Sequence, residues 1–337
     1  MKRVRALLGA LVVVVVAFAV LVSLTIGWRP FIGPKARPLT SRSFERTPER
    51  LARGQYLTEN VLACFDCHAE RDWTKDDAPL TPGTKGGGTA NFPLLGLPGK
   101  IHPPNISPDK ETGAGTWTDD MFARAIREGI GHDGRALFNF MPYERFRHLS
   151  DEDLASVVAY VRSLPPVQHV VPKTELIFPV KYLINAVPEP LTGPVPPPDL
   201  STPAKRGEYL LQSSVCRDCH TPQVKGQALK ELDLAGGIVL QGPWGTVASA
   251  NITPDPSGIG YYDEPLFIQV MRTGHVRARK LKQIMPWPIF RGMTDEDLQA
   301  IFAYLKTVPP IKHRVDNTEP SAPCRICGFS HGSGDRN

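Results

Sequence analysis

The sequence predicts an all-α protein: two similar helical units with long loops, preceded by one apolar helix of membrane length. Three observations predict it. The N-terminus carries a long uncharged run, the chain repeats itself at an offset that drifts from about 153 to about 144 residues, and apolar residues fall at helical spacing at matched places in both copies. No stretch alternates convincingly as a strand. At 337 residues the chain is long enough for two or three domains with real cores.

Lys2, Arg3 and Arg5 precede the run Ala6 to Trp28, ALLGALVVVVVAFAVLVSLTIGW, which is 23 residues long and contains no charge. That length spans a bilayer as a helix. A cleaved secretory signal is the rival reading, and Ala17-Phe18-Ala19 offers a small-x-small site. Val20, Leu21, Val22, Leu24 and Ile26 continue the apolar run past it, which favours an uncleaved anchor over residues 1–28. The basic residues before the run put the N-terminus inside and the body outside.

Gly 29 and Pro 34 are high counts, so much of the body is expected in loops. The formal charge of +5 is modest, and Lys and Arg are scattered among Asp and Glu, which removes the electrostatic case for nucleic-acid binding.

All six cysteines sit in C-x-x-C pairs. Two pairs run directly into histidine: Cys64-Phe65-Asp66-Cys67-His68 and Cys216-Arg217-Asp218-Cys219-His220. Two thiols at this spacing reach both vinyl groups of a haem from one turn of chain, and the adjacent imidazole is held at the iron. A zinc half-site would want further ligands at matching spacing, and a thioredoxin-type pair would want a βαβ context; neither surrounds these motifs. Two covalently bound haem c groups are therefore expected, on Cys64/Cys67 and Cys216/Cys219, with His68 and His220 on the irons.

The sixth ligand follows from the repeat. ARGQYL (52–57) matches KRGEYL (205–210), GLPGKIHPPNISPD (96–109) matches GPWGTVASANITPD (242–255), and FMPYERFRHLSDEDLASVVAYVRSLPP (140–166) matches IMPWPIFRGMTDEDLQAIFAYLKTVPP (284–310). Of six methionines only Met141 and Met285 recur, each followed by Pro, and they are the expected axial partners. His102, His132, His148 and His275 have no counterpart in the other copy, which argues against bis-histidine ligation.

Matched helices complete the reading. Thr47-Pro48 and Thr202-Pro203 look like an N-cap and N1 proline opening the helix that leads to each haem motif. Thr118 to Arg127 and Asp263 to Arg272 read as short helices closed by Gly129 and Gly274. Ser150 and Thr294 precede Asp-Glu-Asp; Leu154, Val157, Val158, Val161 and Leu298, Ile301, Phe302, Leu305 then form apolar stripes. The loops Asn105 to Asp109 and Asn251 to Asp255 are either turns or hydrogen-bond partners of a haem propionate or the axial Met.

Two segments stand outside the repeat. Residues 167–202 form a Pro-rich linker whose apolar middle, Leu176 to Val187, is expected to pack between the domains rather than on membrane or partner. In the tail, 313–337, Cys324-Arg325-Ile326-Cys327 is followed by Gly328, so it lacks the proximal ligand. A local disulfide is the leading expectation there, with a metal or a partner thiol as alternatives.

These residues resemble tandem class I cytochrome c domains, here 44–166 and 203–312. The N-I-[ST]-P-D, M-P and D-E-D-L…A-Y…P-P context is similar to the membrane-anchored cytochrome c subunits of periplasmic alcohol, aldehyde and gluconate dehydrogenases. The resemblance implies an electron-transfer protein rather than an enzyme, with no catalytic residues of its own. It would take electrons from a partner dehydrogenase and pass them to the quinone pool or a terminal oxidase. It also implies a single-pass protein of the inner membrane, its haem domains facing the periplasm. The alternative is a dihaem redox enzyme, a peroxidase or thiosulfate-oxidising cytochrome, with one labile axial ligand. The matched methionines argue against that alternative.

Overall fold

A computed structural model describes residues 2–224 and 226–337. Helix α1 (Lys2–Leu24) carries the apolar run; Leu7, Leu8, Val13 and Phe18 are each more than half exposed, and the helix is long and apolar enough to cross a membrane. After a short α2 (Arg29–Ile32) the chain is strapped along the first unit. Arg37 makes two 2.7 Å bonds to the buried Asp120 and one of 2.8 Å to Glu128, while the Phe44 amide donates to Asp119. Burial alone would raise the Asp120 carboxyl; donors from Arg37 and Thr40 outweigh it and bring it down to about 2.

The first unit contains α3 (Pro48–Tyr56), α4 (Cys64–Cys67), α5 (Asp119–Glu128), α6 (Tyr143–Phe146) and α7 (Asp151–Val161). The linker holds α8 (Val180–Leu183). The second unit contains α9 (Pro203–Ser213), α10 (Cys216–His220), α11 (Glu264–Thr273), α12 (Trp287–Phe290) and α13 (Asp295–Leu305), in the order the repeat predicts. The caps form as expected: Thr47, Thr202, Ser150 and Thr294 each accept from the amide three residues on. Both apolar stripes of α7 and α13 are buried.

In each unit the first helix crosses the last at a glycine. A Cβ on Gly54 would strike the Ser156 carbonyl, and one on Gly207 the Ala300 carbonyl, so these crossings need the missing side chain. A turn of π-helix, Leu57–Val61, extends α3 toward its haem motif; α9 reaches its motif without one.

The units meet through a reciprocal contact that the sequence did not announce. Tyr56 of the first donates to Asp297 of the second and accepts from the Thr294 amide. Tyr209 of the second donates to Asp153 of the first at 2.6 Å and accepts from the Ser150 amide. Each carboxylate is also held by an arginine of its own unit, Arg53 on Asp153 and Arg206 on Asp297. Burial, then the facing carboxylate, pushes Tyr56 up to about 12 and raises Tyr209 as well. One apolar core runs through both units.

The secondary structure and the linker both depart from expectation. Five two-stranded antiparallel ladders occur among the described residues, the longest pairing Val239–Gly242 with Gly245–Ala248. Strands of two to four residues are too short to show alternation in a sequence. The middle of the linker does not wedge between the units. Glu175–Leu176 pairs with Gly99–Lys100, and α8 lies against α2, just after the apolar helix α1, leaving Ile177, Phe178 and Tyr182 exposed.

Candidate functional site

Cys64 and Cys67 lie on the single turn α4, entered through Ala63 in the left-handed region (φ 54°), and the His68 amide closes the turn on the Cys64 carbonyl at 2.9 Å. Cys216 and Cys219 lie on α10. A helical turn puts both thiols of each pair on one side, the requirement for bridging a single macrocycle. Burial pushes the Cys64, Cys67 and Cys219 thiols up to about 12 and raises Cys216.

Both histidines are buried and oriented identically. His68 Nδ1 donates to the Pro104 carbonyl at 2.8 Å and His220 Nδ1 to the Ala250 carbonyl at 2.7 Å. That fixes the tautomer and leaves each Nε2 lone pair for an iron. Burial lowers both imidazoles, against the opposing pull of the carbonyl, so they are neutral at physiological pH.

Met141 and Met285 sit in equivalent turns. The amide of each caps a residue three back, Phe138 and Lys282, and the carbonyl of each accepts from Tyr143 and Trp287 at 2.7 Å. Both methionines and the first cysteine of each motif border the shared core. Tyr143 and Trp287 occupy the same repeat position, and the Tyr143 hydroxyl and Trp287 Nε1 are buried with no hydrogen-bond partner among the described residues. Two matched orphan donors beside two matched methionines fit a group that brings its own acceptors, as the carboxylates of a haem do. The donor set and these donors together suit haem c.

The Asn loops prove structural. Asn105 Nδ2 donates to the Val167 and His169 carbonyls at 2.7 and 3.2 Å, and Asn251 Nδ2 to the Ile311 and His313 carbonyls at 2.8 and 3.1 Å. Each Oδ1 accepts the amide two residues on, from Ser107 and Thr253. These side chains fasten the segment after the last helix to the loop that orients the haem histidine. Three of the unmatched histidines are committed elsewhere: His132 stacks on Trp117 at 4.5 Å, and His102 and His275 bind backbone carbonyls.

The expected disulfide at Cys324 and Cys327 is not formed. Both thiols are free and buried, and they face His313 and His331.

Comparisons with known proteins agree with the geometry. The cytochrome c family model matches residues 51–165 and again 204–309. The chain is 30% identical over 271 residues to the fructose dehydrogenase cytochrome subunit of Gluconobacter japonicus, covering 77% of this chain and 52% of that protein. It is 27% identical over 275 residues to the gluconate 2-dehydrogenase cytochrome c subunit of Pantoea cypripedii, covering 76% and 59%. It is 29% identical over 262 residues to a diheme cytochrome c-type protein of Cereibacter sphaeroides, covering 74% and 83%. The chain thus spans about half the length of the dehydrogenase subunits it matches. With both units matched and both haem motifs in place, this chain belongs to the cytochrome c family, as a tandem pair of its domains.

Proposed function

We propose that this chain holds two haem c groups, on Cys64/Cys67 and Cys216/Cys219, with His68/Met141 and His220/Met285 as axial ligands. It would relay electrons from a membrane-associated dehydrogenase to the quinone pool or a terminal oxidase. The single core that Cys64, Met141, Cys216 and Met285 all border carries this reading, because a relay needs its two carriers held side by side. A haem c supplies one reversible electron at its iron. The protein does the rest. The Pro104 and Ala250 carbonyls hold the imidazoles in one tautomer, the Tyr–Asp contacts lock the units together, and α1 keeps the pair at the membrane on its periplasmic side. The relatives named as cytochrome subunits of dehydrogenases support a dehydrogenase as the donor.

Carbon monoxide added to the dithionite-reduced protein tests this. Methionine-closed irons leave both haem bands nearly unchanged, and Met285→Ala opens one haem to the gas while the other stays closed. Prompt binding by the unmodified protein would sink the carrier reading in favour of a dihaem enzyme with a labile ligand.

A further inference from the structure

The third cysteine pair belongs to a four-residue cluster that the haem chemistry does not use. His313, Cys324, Cys327 and His331 are each no more than 5% exposed, and one ligand atom from each lies within 4.8 Å of all the others. His313 Nε2 and His331 Nε2 are 3.2 Å apart. Cys324 Sγ lies 3.4 Å from His313 Nε2, and Cys327 Sγ lies 3.4 Å from His331 Nε2. A tetrahedral ion with bonds of about 2.0 Å to nitrogen and about 2.3 Å to sulfur has edges of about 3.3 Å (N–N) and about 3.5 Å (N–S). The N–N edge and two of the N–S edges already have those lengths, and the remaining edges lie within 4.8 Å.

The imidazoles are turned for such an ion. His313 Nδ1 donates to the Ala235 carbonyl at 2.8 Å and His331 Nδ1 to the Gly332 carbonyl at 3.0 Å. A carbonyl cannot donate, so the proton sits on each Nδ1 and both Nε2 lone pairs point inward at each other. Two lone pairs at that separation repel, and a cation bound by both removes the repulsion.

From this we infer that His313, Cys324, Cys327 and His331 bind one zinc ion in a closed, structural site. Loading releases the two thiol protons: Zn²⁺, two thiols and two neutral imidazoles give a neutral N₂S₂ complex and two H⁺, so no net charge is buried. All four positions are filled by side chains, which suits structure rather than catalysis. One ion fits the mutual closeness of the four atoms, whereas a two-iron cluster would spread its ligands over two metals.

The surroundings are built to match. Ser321–Pro323 pairs with Ser330–Gly332, and the turn between them carries both cysteines. The Asn337 side-chain amide donates to Cys324 Sγ at 3.5 Å. A loop of the second unit closes the far side: a Cβ on Gly237 (φ +97°) would meet His313 Cε1 at 2.7 Å and Cys327 Sγ at 3.1 Å. The site therefore pins the C-terminal tail to the second unit. Through His313 it also bears on Asn251, whose neighbour Ala250 orients His220.

Metal analysis of the full-length haem-loaded protein, purified without chelator, tests this alongside alkylation of its thiols. About one zinc per chain is expected, with both tail thiols protected and no disulfide. Cys324→Ser and His331→Gln should lose the zinc and keep both haems. After chelator treatment, Co²⁺ added alone should give the intense visible bands of a tetrahedral thiolate site in the unmodified protein. Neither variant should develop those bands in full, which keeps the test open even where a variant's tail is disordered. A Cys324–Cys327 disulfide in the native protein, stoichiometric copper in place of zinc, or zinc retained by both variants would overturn the assignment.

Discussion

His169 and His313 stand at the same place in the two units, just after the closing Pro-Pro. His169 Nδ1 donates to the Gly87 carbonyl at 2.9 Å and His313 Nδ1 to the Ala235 carbonyl at 2.8 Å. The fold asks only for the N–H of that imidazole. In the first unit the segment beyond it runs into the linker. In the second the tail returns and surrounds Nε2 with two thiols and another imidazole. The comparison teaches that the repeated framework is kept where it orients His68 and His220, while the differences collect at its margins. Arg145, which reaches Asp218 across the boundary at 3.0 Å, has Ile289 as its counterpart, so this ion pair exists on one side only.

If the units are equivalent where they pack, the largest effect should be nearly the same in both. Gly54→Ala and Gly207→Ala each drive a methyl into a carbonyl of the opposing helix and should cost about 1–3 kcal/mol, or more if the backbone cannot shift. Thermal unfolding would read this as two similar falls in Tm; a large fall in one and none in the other would break the comparison.

The clasp comes next. Tyr209→Phe and Tyr56→Phe each remove a hydrogen bond to a carboxylate and should cost about 1.5–3 kcal/mol. Tyr209 is the more buried, so its variant should show the larger loss in denaturant unfolding. The clasp is also alkali-sensitive. Tyr56 keeps its proton to about 12 in the fold against 10.0 ordinarily, so its contribution is complete below about pH 10 and lost as pH rises toward 12. In Tyr56→Phe that part of the alkaline loss should disappear. Smallest of all, Arg145→Ala breaks a pair with both partners partly exposed and should change stability by less than about 1 kcal/mol. A larger shift would mean that the one-sided ion pair, and not the symmetric clasp, holds the units in place.

Much of this was legible in the sequence because it lies in local pattern. The helix caps, the apolar stripes and the C-x-x-C-H motifs each fit within a dozen residues, and the repeat pairs Met141 with Met285, which sit in equivalent turns. What escaped lay in pairs far apart in the chain. Tyr56 meets Asp297 across 241 residues, and nothing in ARGQYL or DEDL marks a tyrosine for its neighbour's carboxylate. The tail site was half visible: Cys327 and His331 stand four apart, a ligand spacing. His313 lies eleven residues before Cys324, beyond a run that gave no sign of turning back. The Asn loops were left open between turn and haem partner for a similar reason, since the carbonyls they serve come from about 60 residues downstream.

The Tyr56–Asp297 and Tyr209–Asp153 contacts change places when the two units are exchanged. A surface with that property is isologous, the kind that joins two copies of one subunit about a twofold axis. Here both copies sit on one polypeptide, joined by residues 167–202. Pairing is therefore set by the reach of a tether and not by the abundance of a partner, so the two redox units stay together at any dilution.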